Sequence, residues 1–347
     1  MVIHETTISL PVMSRVHVDF ETIDKDFFDI LEEIPNVFSN FQFQTSNGTI
    51  YIEIDWETYV EQRKLCFKHY RSTSHFIGKG TQKEPTSKPY KEIVELPVKM
   101  DFEESILKSV REDIREKHVY HYLEHILSNL FMAINLSAPG SISFYNNELR
   151  KSKEIRFIYE YTGELLESAY VESLDLEWPI INKIPLIDTW NWLQSLNSGV
   201  AQVAKTQTEK ALLSLLTICK GQGFSPTDLI WITLSLESLY ETPKAQISKL
   251  LLDRISLFLD IPIENKRKHI KMIRDLYDVR SRFVHGELNI VHPNLNDILD
   301  ERLLEELDII ITNTEVGLCI IISTLQKMIK NNWTSIHFEE KFFGNRL

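Results

Sequence analysis

Arg280 and His285 stand five residues apart near the end of the run Lys266-Arg-Lys-His-Ile-Lys-Met-Ile-Arg-Asp-Leu-Tyr-Asp-Val-Arg-Ser-Arg-Phe-Val-His-Gly286. Arginine stays charged and grips a phosphate with two parallel donors. Histidine exchanges protons near neutral pH. Together they suit chemistry at a phosphodiester, with one group to move a proton and a cation to hold charge growing on the phosphoryl oxygens. Glu237, in the apolar run Leu234-Ser-Leu-Glu-Ser-Leu-Tyr240, is a supporting candidate. A half-buried acid wants a cationic partner, and Arg280 is available to be oriented by it. Lys266, Arg267, Lys268, Lys271 and Arg274 are placed to hold nucleic-acid phosphates upstream of the pair. Each of these lysines and arginines also reads as part of a solvated helix face. On spacing alone, Arg280 reads as a structural arginine paired with an acid, and His285 as a helix-capping residue.

The element that must carry these groups is a helix. Met272, Leu276, Val279 and Phe283 recur at spacings of four, three and four, with Ile273, Tyr277 and Val284 as a second stripe beside them. Arg280 falls in the second stripe, where a solvated arginine is not expected. Gly286 closes the pattern as a left-handed C-cap. Five helical residues turn through about 500°, so Arg280 and His285 diverge by about 140°. Either Arg280 reaches round, or His285 swings in where the helix ends, or the two groups come from different subunits.

The run Leu276-Tyr277-x-x-Arg280-Ser281-Arg282-Phe283-Val284-His285-Gly286 resembles the R-x-x-x-x-H signature of HEPN domains. The Tyr-x-x-Arg-Ser-x-x-x-His-Gly wording is most similar to the Apea-like HEPN branch, found in bacterial proteins linked to phage defence. The resemblance covers roughly residues 186–330. It implies a four-helix antiparallel core with additions, a homodimer, and metal-independent cleavage of RNA, tRNA included, through attack by the 2′-hydroxyl. It places Arg280 and His285 in the catalytic role, with Tyr277, Ser281 and Arg282 in support and no cofactor or metal. Many catalytic members carry Asn, Asp or His directly after the Arg, whereas this chain has Ser281. That departure keeps open an inactive HEPN module that binds RNA or a protein partner.

The 347 residues suffice for two domains, and 43% apolar with 25% charged residues excludes a disordered chain. The formal charge of −12 is unevenly spread. Residues 1–180 carry 19 Lys/Arg against 30 Asp/Glu, and residues 181–347 carry 19 against 20. Within the second half, Glu264 to Arg282 holds seven basic and three acidic residues, so a local nucleic-acid site survives on an acidic protein. Cys66, Cys219 and Cys319 form no CxxC pair, which fits a reducing cytoplasm and argues against a disulfide framework or zinc ribbon. No signal peptide is read at the N-terminus. The apolar run Leu307 to Leu325 is interrupted by Thr312, Asn313, Thr314 and Glu315 and reads as a buried helix, with no membrane partner expected.

The remaining chain supplies the frame. Arg15–Phe20 and Thr49–Asp55 alternate as strands, with Asn47-Gly48 as a hairpin turn and a short helix at Phe27–Ile34. Gly78 to Lys91 reads as a loop. Its Gly78-Lys79-Gly80-Thr81 lacks the glycine and the ending of a phosphate loop. Asp101 to Leu136 is a helical pattern containing His121-Tyr-Leu-Glu124-His125, which matches the H-x-x-E-H zinc-peptidase pattern. No third ligand is identifiable, so an outer helix face is the preferred reading. Ser141–Tyr145 and Ile155–Tyr161 read as further strands. Prolines at 179 and 185 mark a boundary near residue 180, followed by successive helices with short joints. Leu186–Ala204 and Thr208–Lys220 read as helices that could be continuous. Ser225 and Thr242 open the next two, and Asp297–Lys330 is the last. Residues 331–347, with Trp333, Phe338, Phe342 and Phe343, read as a tail that docks on another surface such as a partner subunit.

The expected architecture is therefore an acidic α+β domain (1–180) followed by an all-α HEPN-type antiparallel bundle (181–330) and an aromatic tail. The first is expected to be regulatory, with a phage-derived trigger. The second is expected to cut RNA.

Overall fold

A computed structural model describes residues 2–12, 21–77, 90–108, 110–144, 147–151, 154–196, 202–221, 223–242, 247–292 and 297–339. An N-terminal antiparallel sheet is followed by a mostly helical remainder. The expected strand at Arg15–Phe20 and the Gly78–Thr81 run lie outside the described residues, as do Phe342 and Phe343.

The chain forms two compact units that interleave along the sequence. The first comprises Met1–Val171, Asn182–Gln202 and Cys219–Gln222, and the second Glu172–Ile181, Val203–Ile218 and Gly223–Leu347. A single cut near residue 180 is thus replaced by several crossings.

In the first unit, β1 (Val2–Pro11), β2 (Asn40–Thr45), β3 (Gly48–Ile54), β4 (Ile93–Phe102), β5 (Asn147–Lys151) and β6 (Glu154–Tyr159) make a sheet of order β2-β3-β4-β1-β5-β6, antiparallel throughout. The period-two pattern sends Val94, Leu96, Val98, Met100 and Phe102 inward and leaves Ile93, Glu95 and Lys99 outside. Helices α1 (Glu21–Phe38) and α2 (Glu57–Ile77) pack with this sheet. The hairpin connection is Ser46-Asn47, because Thr45 pairs with Gly48. The helical reading of Asp101–Leu136 splits. Asp101 and Phe102 end β4, a short α3 (Glu104–Leu107) follows, and α4 (Glu112–Ser137) carries the rest. Ser141–Phe144 is not a strand, although Phe144 and Tyr161 exchange backbone hydrogen bonds at 2.6 and 3.3 Å.

Helix α5 (Glu164–Leu176) precedes the boundary prolines, and α6 (Leu186–Ser195) belongs to the first unit for a visible reason. The Glu33 carboxylate accepts the Leu186 N–H at 2.7 Å and pairs with Lys183, capping α6 from α1. Trp190 packs edge-on against Phe38 and Phe41. The helix is therefore separate from the next one rather than continuous with it.

The second unit is built from α7 (Gln207–Ile218), α8 (Asp228–Leu239), α9 (Ile247–Phe258), α10 (Lys266–Val284) and α11 (Arg302–Lys330). At the start of α8 the Asp228 carboxylate accepts the Ser225 N–H at 2.9 Å, the reach-back half of a capping box. Helices α8, α10 and α11 meet at Gly317. A Cβ there would lie 2.4 Å from Ile232 Cγ2 and 3.4 Å from Leu276 Cδ2, so only glycine permits this approach. Among the described residues α11 is the one helix long and apolar enough to cross a membrane, and two-thirds of its apolar window is buried inside the fold. Trp333 and Phe338 of the tail pack within their own unit, against Phe258 and Tyr240. For these two residues the expected docking surface is therefore their own unit rather than a partner subunit.

Candidate functional site

Helix α10 ends as its sequence requires. His285 is the C-cap (φ −91°), and Gly286 takes φ +74°. The Glu287 N–H donates to the Arg282 carbonyl at 2.7 Å, and Gly286 N–H to that of Phe283 at 3.2 Å. This is the two-bond Schellman closure, which needs a left-handed residue where Gly286 stands. The closure fixes His285 at the helix end with its side chain exposed.

The buried face of α10 is His269, Ile273, Leu276 and Val279. Met272 and Phe283, expected to face the core, are only half-buried, and Val284 is exposed. Tyr277, Arg280, Ser281 and Arg282 are half-buried beside that face. From α8, Glu237 is also half-buried. Burial raises its carboxyl above the ordinary range, and the Arg280 charge pulls it back down. Burial likewise raises the Tyr277 hydroxyl, helped by the Glu237 charge and opposed by Arg280. The fold therefore brings Glu237, Tyr277 and Arg280 into one electrostatic neighbourhood.

What these groups lack is bonding. Among the described residues, the Arg280 Nε and the Tyr277 hydroxyl are buried without a hydrogen-bond partner. No ion pair within 4.0 Å joins Arg280 to Glu237, and no bond joins Arg280 to His285. Buried donors in folded proteins are nearly always satisfied, so the Arg280 Nε and the Tyr277 hydroxyl are open to a further partner, a state that the Arg115 Nε shares.

Lys266, Arg267, Lys268, Lys271 and Arg274 are exposed on the first half of α10. The first turn contains no acid. Cations at a helix N-terminus oppose the helix dipole, so local stability does not explain them. From Lys271 to His285 the helix rises about 21 Å, so this basic strip is a separate patch leading toward Arg280.

Comparisons with family models, with curated proteins and with solved structures gave no match. The functional reading therefore rests on these residues.

The H-x-x-E-H run lies on α4. His121 Nδ1 is 3.1 Å from Glu124 Oε2, while His125 Nδ1 is 3.2 Å from Gln202 Nε2 and its ring meets the Phe43 ring edge-on. No group of three or more His, Cys, Asp or Glu suited to a metal is found among the described residues.

Sequence reasoning overlooked His269. It is 1% exposed, its ring lies 4.7 Å from that of Trp178 at a tilt of 38°, and burial holds its pKa below the ordinary value. The nearby Leu176 carbonyl opposes that shift, and Lys268 adds to it. The signal was available: counting back from Ile273 and Leu276 by helical spacing places position 269 on the buried face.

Proposed function

We propose that the chain is a HEPN-type, metal-independent endoribonuclease whose catalytic groups are Arg280 and His285. The observation that carries this reading is the half-buried, unbonded Arg280 beside Tyr277 and Glu237, five residues before an exposed histidine fixed at the helix end. The family signature supplies the reaction, and the residues supply the means. One His285 takes the proton of an RNA 2′-hydroxyl. The 2′ oxygen bonds to phosphorus, and the bond from phosphorus to the 5′ oxygen breaks. A second, protonated histidine gives the leaving 5′ oxygen its proton, and Arg280 holds the charge on the phosphoryl oxygens.

Two copies of the chain supply the two histidines. Within one chain no hydrogen bond joins Arg280 to His285, so a homodimer in which Arg280 of one copy faces His285 of the other accounts for both. Exposed Ile230 and Leu234 share a helical stripe with Glu237, and exposed Val284 follows Tyr277 and Arg280 on α10. Apolar residues around an arginine and a tyrosine are the composition of an interface centre. Glu237 orients Arg280, Ser281 and Arg282 line the same region, and Lys266, Arg267, Lys268, Lys271 and Arg274 hold phosphates of the RNA, tRNA included. The acidic N-terminal unit restrains or triggers the enzyme in the cytoplasm, with a phage-derived signal as the family implies.

A second reading, an inactive HEPN module that binds RNA or a protein partner through this face, is favoured by Ser281 in place of the Asn, Asp or His usual in catalytic members. RNA cleavage in EDTA by wild type and His285→Ala decides between the two. Cleavage by wild type alone, leaving 2′,3′-cyclic phosphate ends, is the expected result. A dimer that binds RNA and leaves it intact, with and without infected-cell extract, establishes the second reading.

A further inference from the structure

One face of the N-terminal sheet carries exposed side chains, and the strand register sorts them into rows that cross the strands. Residues opposite one another in an antiparallel sheet share a face. Gln44 stands opposite Thr49. In the next row Gln42, Tyr51 and Asp101 lie side by side on β2, β3 and β4. A third row runs Asn40, Glu53, Lys99 and Glu5. The two outer rows close on themselves. The Thr49 hydroxyl donates to Gln44 Oε1 at 3.2 Å, and the Lys99 ammonium stands 3.5 Å from the Glu53 carboxylate. The middle row does not. Asp101 Oδ1 is buried without a hydrogen-bond partner among the described residues, and Tyr51 is 38% exposed.

Between the middle row and the Lys99 row lies a trough of about 320 Å³. Ile52 is buried in the core and Phe41 packs against Phe38 and Trp190, so both turn away and leave their backbone as its floor. Rows on one face stand two residues apart along the strand, about 6.7 Å. One flat group fits such a gap, with contacts of roughly 3.5 Å on each side.

The lining selects the chemistry of that group. Tyr51 offers a ring face, which attracts cations. The Asp101 and Glu53 carboxylates offer only acceptors, and Asn40 and Gln42 add amide oxygens. The single lysine is flanked by Glu5 and Glu53, with Asp101 beyond them, so the surplus charge is negative. Residues 1–180, with 19 Lys/Arg against 30 Asp/Glu, carry the same sign, which disfavours a phosphate or a nucleotide. A flat, positive group rich in donors is a guanidinium. Its paired N–H groups meet a carboxylate through two parallel bonds, and its plane stacks on an aromatic ring. An ammonium has the charge without the plane.

We infer that this trough binds a guanidinium, held by the Asp101 carboxylate and stacked on Tyr51. A small guanidino compound and the arginine side chain of a peptide share this chemistry. The site lies wholly within the first unit and stands whether or not the second unit cleaves RNA.

Isothermal titration of the full chain with Nα-acetyl-arginine amide tests this. Saturable binding below about 10 mM is expected. Nα-acetyl-lysine amide should bind more weakly by roughly tenfold, since it lacks the fork and the plane. Asp101→Asn should weaken the arginine compound by about tenfold, and Tyr51→Leu severalfold. Lys99→Met should act in the opposite direction and tighten binding, because it removes a like charge and frees Glu53. Gln44→Ala, in a row already closed, should change nothing. Unchanged thermal melts verify folding. Should Asp101→Asn melt early, Tyr51→Leu and Lys99→Met carry the same test with opposite signs. An extended pentapeptide with a central arginine separates the two sources. Affinity equal to that of the amide assigns a small guanidino compound, and a gain of about tenfold assigns a peptide whose backbone adds to the β2 edge. No saturable binding of either arginine probe, equal binding of the lysine probe, or folded variants that bind as wild type does overturns the inference.

Discussion

Two arginines of the helical unit are used in opposite ways. Arg254, on α9, donates through one nitrogen to the Tyr240 and Glu241 carbonyls, each at 2.6 Å, and lies 4.6 Å from the centre of the Phe338 ring. It ties off the end of α8 and pins the tail. Arg280, on α10 and coupled to the same α8 through Glu237, has no side-chain hydrogen bond or ion pair among the described residues. A guanidinium that spends its donors on carbonyls is structural. Arg280 keeps its Nε buried and unbonded, a cost to the fold that a partner outside the chain would offset.

The contrast is sharpest under substitution. Arg280→Met should lower RNA cleavage by about two to three orders of magnitude, the range for removing a charge that stabilises a transition state. Its folding stability should be unchanged to within about 1 kcal/mol, since the side chain has no hydrogen bond or ion pair to lose. Arg254→Met should do the reverse. It loses two charge-assisted hydrogen bonds and the ring contact, about 3 kcal/mol, with little effect on chemistry at saturating RNA. Urea unfolding beside single-turnover cleavage reads both. If Arg280→Met unfolds as readily as Arg254→Met, the distinction between them disappears.

Gly317→Ala tests the frame rather than the site. The added methyl group meets Ile232 at the junction of α8, α10 and α11, and overpacking there should cost about 1–3 kcal/mol. Since that junction also sets where Glu237 stands against Arg280, cleavage should fall with stability. A neutral result would mean the three helices have room to shift. Glu237→Gln should reduce cleavage severalfold and leave stability nearly unchanged, because the Glu237 carboxylate forms no ion pair to lose. Full activity in Glu237→Ala would remove its orienting role.

Much of the site was legible in the sequence for local reasons. Helix α10 and its glycine stop are written in spacing and in one residue of special backbone freedom. The division of its face was not. His269 is buried and Val284 exposed because α8, α11 and the segment Glu172–Ile181 decide which side is covered, and none of these is adjacent in sequence. The same long-range dependence placed α6 with the first unit, through Glu33 and Trp190. Strand β1 has little alternation of its own, yet lies at the centre of the sheet between β4 and β5. Aromatic tail residues announced docking correctly, but composition could not say that Arg254 and Tyr240 of the same chain receive Phe338.

The smallest expected effect is a pH dependence at His269. Its folded pKa lies below the unfolded value of about 6.5, so the unfolded state binds more protons as pH falls through that range. The associated stability is present above about pH 6.5 and is lost as pH drops toward the folded pKa. Asp228, raised to about 6, and Glu237 and Glu172, also raised, act in the opposite sense, because protonation relieves their burial. The histidine contribution is therefore the difference between wild type and His269→Phe in urea midpoints at pH 7.5 and 5.5. Wild type should lose more on acidification, and equal losses would show that His269 is not the titrating group.

Complementation between two dead variants tests the central claim most directly. Arg280→Met and His285→Ala are each expected to be inactive in EDTA, and their mixture should regain part of the wild-type cleavage, because a mixed dimer contains one site with Arg280 from one copy facing His285 of the other, with water protonating the leaving 5′ oxygen in place of the missing second histidine. The products should carry 2′,3′-cyclic phosphate ends. If wild type cleaves under the same conditions and the mixed dimer, verified by mass, does not, then the two residues do not meet across a pair of chains and this account of the site is wrong.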